Sequence, residues 1–139
     1  MQRILYLAGR ILLGLYFIVP GAMKVMNFSG TAEYMAAHGM RFIPFFLVLT
    51  IVIQIGGGLS LAVGYRLRTV SFILAGLVLL ISLVLHDFWT LADGLQKSHE
   101  TQNFIKNMAI MAGLLVLAGG QYLADADPRS AADQQYPES

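Results

Sequence analysis

His86 and Asp87 end an apolar run that is uncharged from residue 69 onward, and Phe88 and Trp89 follow at once. An imidazole beside a carboxylate can pass protons near neutral pH, and neighbouring rings can stack on a flat ligand. The other residues with chemistry of their own recur at helical spacing. Arg10, Gly14, Phe17, Gly21 and Lys24 alternate i+4 and i+3 steps, which puts them on one helix face. Lys106, Ile110, Gly113, Leu117 and Gly120 repeat the pattern, and Ser71, Ala75, Ser82 and His86 form a further stripe. Gln54 precedes the run Gly56-Gly57-Gly58, and Asn107 follows Lys106. Small residues let helices approach closely in lipid, so these faces are expected to look inward and take their cations with them.

Composition says what kind of element holds these residues. Of 139 residues, 57% are hydrophobic and only 12% charged, and mean hydropathy is +0.67. A soluble domain carries about 25% charged residues, and so short a chain has too little interior to hide this much apolar surface. The lipid bilayer is the expected solvent and first partner. A net charge of +1 with scattered basic residues excludes a nucleic-acid surface. The chain has no cysteine, which removes disulfides, thiol nucleophiles, cysteine-ligated clusters and CxxC chemistry.

Four apolar runs approach the ~20 residues that cross a hydrocarbon core: residues 4–23, 42–63, 69–86 and 106–124. None has the two-residue alternation of a barrel strand. The expected fold is all-α, an integral membrane bundle of four transmembrane helices over residues 1–124. A short interfacial helix is expected between the first two spans, with Thr31 as its N-cap and Gly39 as its stop. Pro20-Gly21 is expected to bend the first span, and residues 64–68 to form a tight turn. Residues 87–106 read as the longest and most polar connection, and residues 125–139 as a disordered acidic tail. The N-terminus is read as a retained helix, not a cleaved signal peptide.

With four spans both termini share one side, together with Arg3, Arg10, Arg66, Arg68 and Arg129. The other side carries Lys24, Arg41, Lys97 and Lys106. The positive-inside rule then expects cytoplasmic termini, with the two-arginine turn as its best argument. Lys24, His86, Asp87, Lys106 and Asn107 all fall at span ends on the opposite side, and Gln54 lies about midway along the second span. Together with Phe88 and Trp89 they outline a substrate pocket open towards the periplasm, with His86 and Asp87 as candidate proton donors. Arg10 is read as a structural polar residue within the membrane. The ordinary reading stands beside this: boundary lysines snorkel to headgroups, and Phe88-Trp89 can be an interfacial aromatic belt. Metal is not expected. His38, His86-Asp87 and His99-Glu100 lack the spacing of a metal-binding pair, and His99 and Glu100 are read as solvated loop residues. The seven methionines are read as packing.

Several segments resemble those of DoxX-type membrane proteins, in the right order. They are "GRILLGLYFIVPGAMKVMNF" (Gly9 to Phe28), "IGGGLSLAVGYRLR" (Ile55 to Arg68), "HDFW" (His86 to Trp89) and "NFIKNMAIMAGLLVLAGG" (Asn103 to Gly120). One departure is visible: the family often has a glutamate before the glycine-rich stretch, where this chain has Gln54. The resemblance implies a four-helix protein of the bacterial inner membrane. Some relatives are subunits of a thiosulfate:quinone oxidoreductase, and others are linked to quinone detoxification or oxidative stress. The expectation is therefore a membrane subunit or accessory protein of a quinone-linked redox system, with no intrinsic cofactor and a quinone as ligand. Electrons would come from a soluble or membrane redox partner. Two alternatives compete. One is a scaffold or assembly factor that docks a soluble redox protein through residues 27–41 and 87–106. The other is a transporter or channel, for which four spans without a repeat require a homo-oligomer.

Overall fold

The computed structural model describes residues 1–125, and every regular element there is helical. The order is α1 (Gln2–Met26), α2 (Phe28–Ala37), α3 (Ile43–Val63), α4 (Leu67–Leu85) and α5 (Leu95–Asp125), with one 3-10 turn at Phe88–Thr90. α1, α3, α4 and α5 belong to the four segments long and apolar enough to cross a membrane, and α2 is the short helix between the first two. Large side chains such as Leu12, Val52, Leu80 and Val116 are more than half exposed on the outer surface. Lipid, not water, is the solvent that suits such a surface, and helices satisfy their own backbone groups within it. The expected tail lies outside the described residues from 126 onward.

Lipid tails are as apolar as leucine, so close packing must hold the helices together. α1 meets α3 at Gly14 and Gly58, where a Cβ on either glycine would come 2.6 Å from the other's carbonyl oxygen. Gly21 lies against Ile55 and the Cβ of Gln54, and Phe17 is fully buried between these contacts. The inward face read from the spacing of α1 is therefore real, and α3 is what it packs on. α4 packs on α5 as the second close pair. The two pairs share a core of Phe17, Leu61, Leu67, Leu74 and Leu114, in the half of the bundle nearer the α3–α4 turn.

That turn depends on Arg10. Gly64 and Arg66 adopt left-handed conformations (φ 88° and 45°) that reverse the chain. The last carbonyls of α3 have no partner within the helix. Arg10 donates from Nε to Leu61 O at 2.9 Å and from Nη2 to Ala62 O at 2.8 Å. A Cβ at position 64 would meet the same guanidinium at 2.7 Å, so glycine serves both the backbone angle and the space.

Four expectations need correction. α2 starts at Phe28 with Asn27 at its cap, and Thr31 lies inside it with its hydroxyl on Asn27 O (2.9 Å). Gly39 (φ 73°) does follow the helix end, as expected of a stop. Residues 87–106 are not a long loop: α5 begins at Leu95, because Leu, Gln, Lys and Glu favour helix whatever their polarity. Lys97 also pairs with Asp93 one turn earlier (2.8 Å). α5 centres its buried face on Asn107, Leu114 and Ala118; of the expected stripe Ile110 and Leu117 pack at the edge of the core, whereas Lys106 is exposed and a Cβ at Gly113 or Gly120 would touch nothing. Finally, α1 runs helically through Pro20 to Met26, three residues past the expected span end at 23.

Candidate functional site

In the other half of the bundle, under α2, the four long helices enclose a cavity of about 760 Å³. Its walls are mostly apolar, with Phe46, Leu47, Leu77 and Ile81 among them. Five of the residues singled out by sequence reach it: Lys24 from α1, Gln54 from α3, His86 from the end of α4, and Lys106 and Asn107 from α5. They come together because the ends of α1 and α4 lie on one side beside the fourth turn of α5, and Gln54 sits lower on α3.

Each polar group has its own setting. Gln54 is 6% exposed, and its Oε1 has no hydrogen-bond partner. Lys24 is half-buried, and no carboxylate pairs with it among the described residues. Lys106 Nζ donates to Asn103 Oδ1 at 3.1 Å. His86 Nδ1 lies 2.6 Å from Glu100 Oε2, and Asn103 Nδ2 also donates to that oxygen at 3.4 Å. A carboxylate acceptor holds the proton on Nδ1 of a neutral imidazole and leaves the other ring nitrogen as an acceptor. Asn107 links three helices: it accepts from the Tyr16 hydroxyl (2.9 Å) and donates to Ser82 Oγ (3.1 Å), which donates to Val78 O (2.7 Å).

α2 closes the cavity from above. Tyr34 lines it and donates to Leu85 O at 3.1 Å, tying this cover to the end of α4. Burial holds the Tyr34 phenol above its ordinary pKa of 10.0, and the carboxylates of Glu100 and Asp87 push in the same direction.

Three sequence candidates stand elsewhere. Asp87 does not line the cavity: it accepts from the Thr90 hydroxyl (3.1 Å) and lies 4.0 Å from His38 Nε2. The carboxylate that orients His86 is Glu100. Phe88 and Trp89 pack edge-to-face on each other and on Phe104, outside the cavity. Rings that do line it are Tyr16, Phe17, Tyr34 and Phe46. Sequence reasoning missed Tyr16 and read Glu100 as a solvated loop residue, whereas it stands on α5 with its carboxylate mostly buried on His86. Tyr16, Pro20 and Lys24 recur at i+4 steps, a signal obscured by the stronger glycine face beside it. Glu100, Asn103 and Asn107 share a face only once the helix is known to start at Leu95.

Four lipid-facing helices around a partly open, partly polar cavity define a multi-pass α-helical membrane protein with room for a small molecule. The DoxX family model matches residues 5–87, and the chain belongs to the DoxX family. The inner membrane protein YqjF of Escherichia coli K12 is 36% identical over 112 residues, covering 81% of this chain and 80% of its own. A second Escherichia coli inner membrane protein, YphA, is 28% identical over 117 residues, covering 84% and 83%. No solved structure matches the chain.

Proposed function

We propose that this protein is an inner-membrane protein that binds a quinone-type molecule in the cavity under α2, on the periplasmic side, and serves a partner oxidoreductase. The inner membrane is where both relatives are placed by their names. One observation carries the ligand assignment: an apolar cavity of about 760 Å³ in which a few polar groups converge, Gln54 among them with an unmet acceptor. That is the pattern of a small-molecule site, apolar walls with a few groups that orient the ligand.

A quinone fits both parts. Its ring suits the apolar walls, and its carbonyl oxygens gain electron density on reduction. Lys24 and Lys106 would stabilise that charge electrostatically, and His86, oriented by Glu100, would take up a proton from water on its other ring nitrogen and pass it on. The Gln54 carboxamide can accept from a quinol hydroxyl or, turned over, donate to a quinone carbonyl. The chain has no cysteine, and the electrons come from a redox partner.

The test is organic-solvent extraction of protein purified in mild detergent, with quinone read by ultraviolet absorbance and mass spectrometry. The expected result is near-stoichiometric quinone in wild type and little in a folded Lys24→Ala, His86→Ala, Lys106→Ala triple variant. Equal amounts in both, or none in wild type, would overturn the assignment.

A further inference from the structure

α3 and α4 are joined by a tight turn, and near it they touch: Leu74 lies over Gly57, where a Cβ would meet Leu74 Cδ2 at 2.8 Å. Further from the turn the cavity stands between them. Phe46, Leu47 and Thr50 line it from α3, and Leu77, Leu80 and Ile81 from α4. Leu77, Leu80, Ile81 and Val84 form one helix face at i, i+3, i+4 and i+7, the face that would seal against α3 if the two helices stayed in contact. Instead Leu80 is 56% exposed on the outer surface while also lining the cavity, and Phe46 is in the same position. Elsewhere the walls are joined by contacts: α1 to α3 by close glycine packing, α1 to α5 by the Tyr16–Asn107 hydrogen bond, and α2 to α4 by Tyr34; the exposed lining residues Met23 (62%) and Lys106 lie at the α2 end of the cavity.

We propose that the opening between α3 and α4 is a lateral portal to the bilayer, through which the ligand passes. The ligand class follows from the polarity gradient along that route. Lys24, His86 and the unmet Gln54 oxygen take a polar head, while the portal is apolar apart from the Thr50 hydroxyl. An amphiphile with a polar head and a hydrocarbon tail fits, its tail left among the lipid chains; a water-soluble metabolite does not. The tailed ligand rests on the quinone-type reading above, whereas the portal can be tested without it.

The experiment reconstitutes the full chain in phosphatidylcholine vesicles with an aryl diazirine dissolved in the bilayer, and maps the photolabelled residues by mass spectrometry. Leu47 (0% exposed) and Val78 (4%) line the cavity, whereas Leu61 and Leu114 (both 0%) are equally buried away from it. The expected result is several-fold more label on Leu47 and Val78 than on Leu61 and Leu114, lost in Thr50→Trp, which plugs the portal. Ile81→Trp serves the same purpose should Thr50→Trp fail to fold. Label on Leu47 and Val78 no higher than on Leu61 and Leu114 overturns the portal. So does labelling of both by a charged, water-soluble diazirine that the plug does not reduce. Labelled walls with no quinone in the extract would sink the quinone reading and leave the portal standing.

Discussion

Glu100 Oε2 lies 2.6 Å from His86 Nδ1, joining a residue on the first turns of α5 to the residue that ends α4. The contact fixes the ring where the cavity begins, and both side chains are mostly buried. A hydrogen bond to a charged group contributes about 1.5–3 kcal/mol when its partner is lost, and partial exposure puts this one towards the lower end. Glu100→Ala should therefore lower the melting temperature in detergent and reduce the quinone retained. Glu100→Gln keeps an acceptor and should lose less of both. Unchanged retention in Glu100→Ala would remove this residue from the site.

Gln54 should separate stability from binding. Its buried oxygen has no partner, and removing an unmet buried polar group recovers about 1 kcal/mol. Gln54→Leu is expected to raise the melting temperature of ligand-free protein while lowering ligand retention. A fall in both would mean that Gln54 supports the fold, not a ligand.

Close packing of α1 on α3 predicts which glycines matter. Gly14→Ala and Gly58→Ala each drive a methyl to 2.6 Å from backbone oxygen, which cannot swing away as a side chain could. Overpacking of this kind costs roughly 1–3 kcal/mol. Gly113→Ala and Gly120→Ala meet open space and should leave thermal stability in detergent unchanged or slightly higher. Equal losses at all four positions would contradict the packing described.

Arg10 caps α3 with two charge-assisted bonds, so Arg10→Ala should cost roughly 2–4 kcal/mol. Arg10→Lys should recover only part of it, since an ammonium lacks the fork that reaches Leu61 O and Ala62 O together. Chemical denaturation in detergent would measure both. Ligand retention by whatever fraction stays folded should be normal, because Arg10 lies at the opposite end from the cavity.

Tyr34 gives the pH dependence. Its folded pKa is raised above the unfolded value, so the unfolded chain loses this proton first as pH rises. Stability from this residue is complete below pH 10.0 and declines above it. Phenolate absorbance of wild type minus Tyr34→Phe should rise only above pH 10.0, and the difference in melting temperature between the two should shrink there. A difference spectrum that titrates at the ordinary value of 10.0 would show Tyr34 exposed and α2 not seated.

Much of the fold could be read from the sequence. The four spans, the short helix, the Gly64–Arg68 turn and the inward face of α1 all follow from runs of apolar residues and helical spacing. The α5 start did not. Residues 96–103 are polar, and polarity alone does not separate a loop from a helix emerging from lipid. That one misreading hid Glu100 and turned the inward face of α5 by a residue, from Lys106 to Asn107. The aromatic pair after His86 misled for a related reason. Adjacent residues cannot all face one cavity, and Phe88 and Trp89 turn to Phe104 while His86 turns inward.

The solvent and the elements are legible in the chain, because transfer to lipid depends on apolar run length and helix formation depends on neighbours a few residues apart. The sequence also places Lys24, His86 and Lys106 at one end, since up-down order follows from counting spans. Which carboxylate meets His86, which glycines carry contacts, and where α3 and α4 part to leave a cavity emerge only when the helices are packed together. Those outcomes depend on the rotation of each helix about its axis and on sub-ångström fits such as Gly14 against Gly58. Helix rotation is set by all the neighbours at once, so no single segment encodes it.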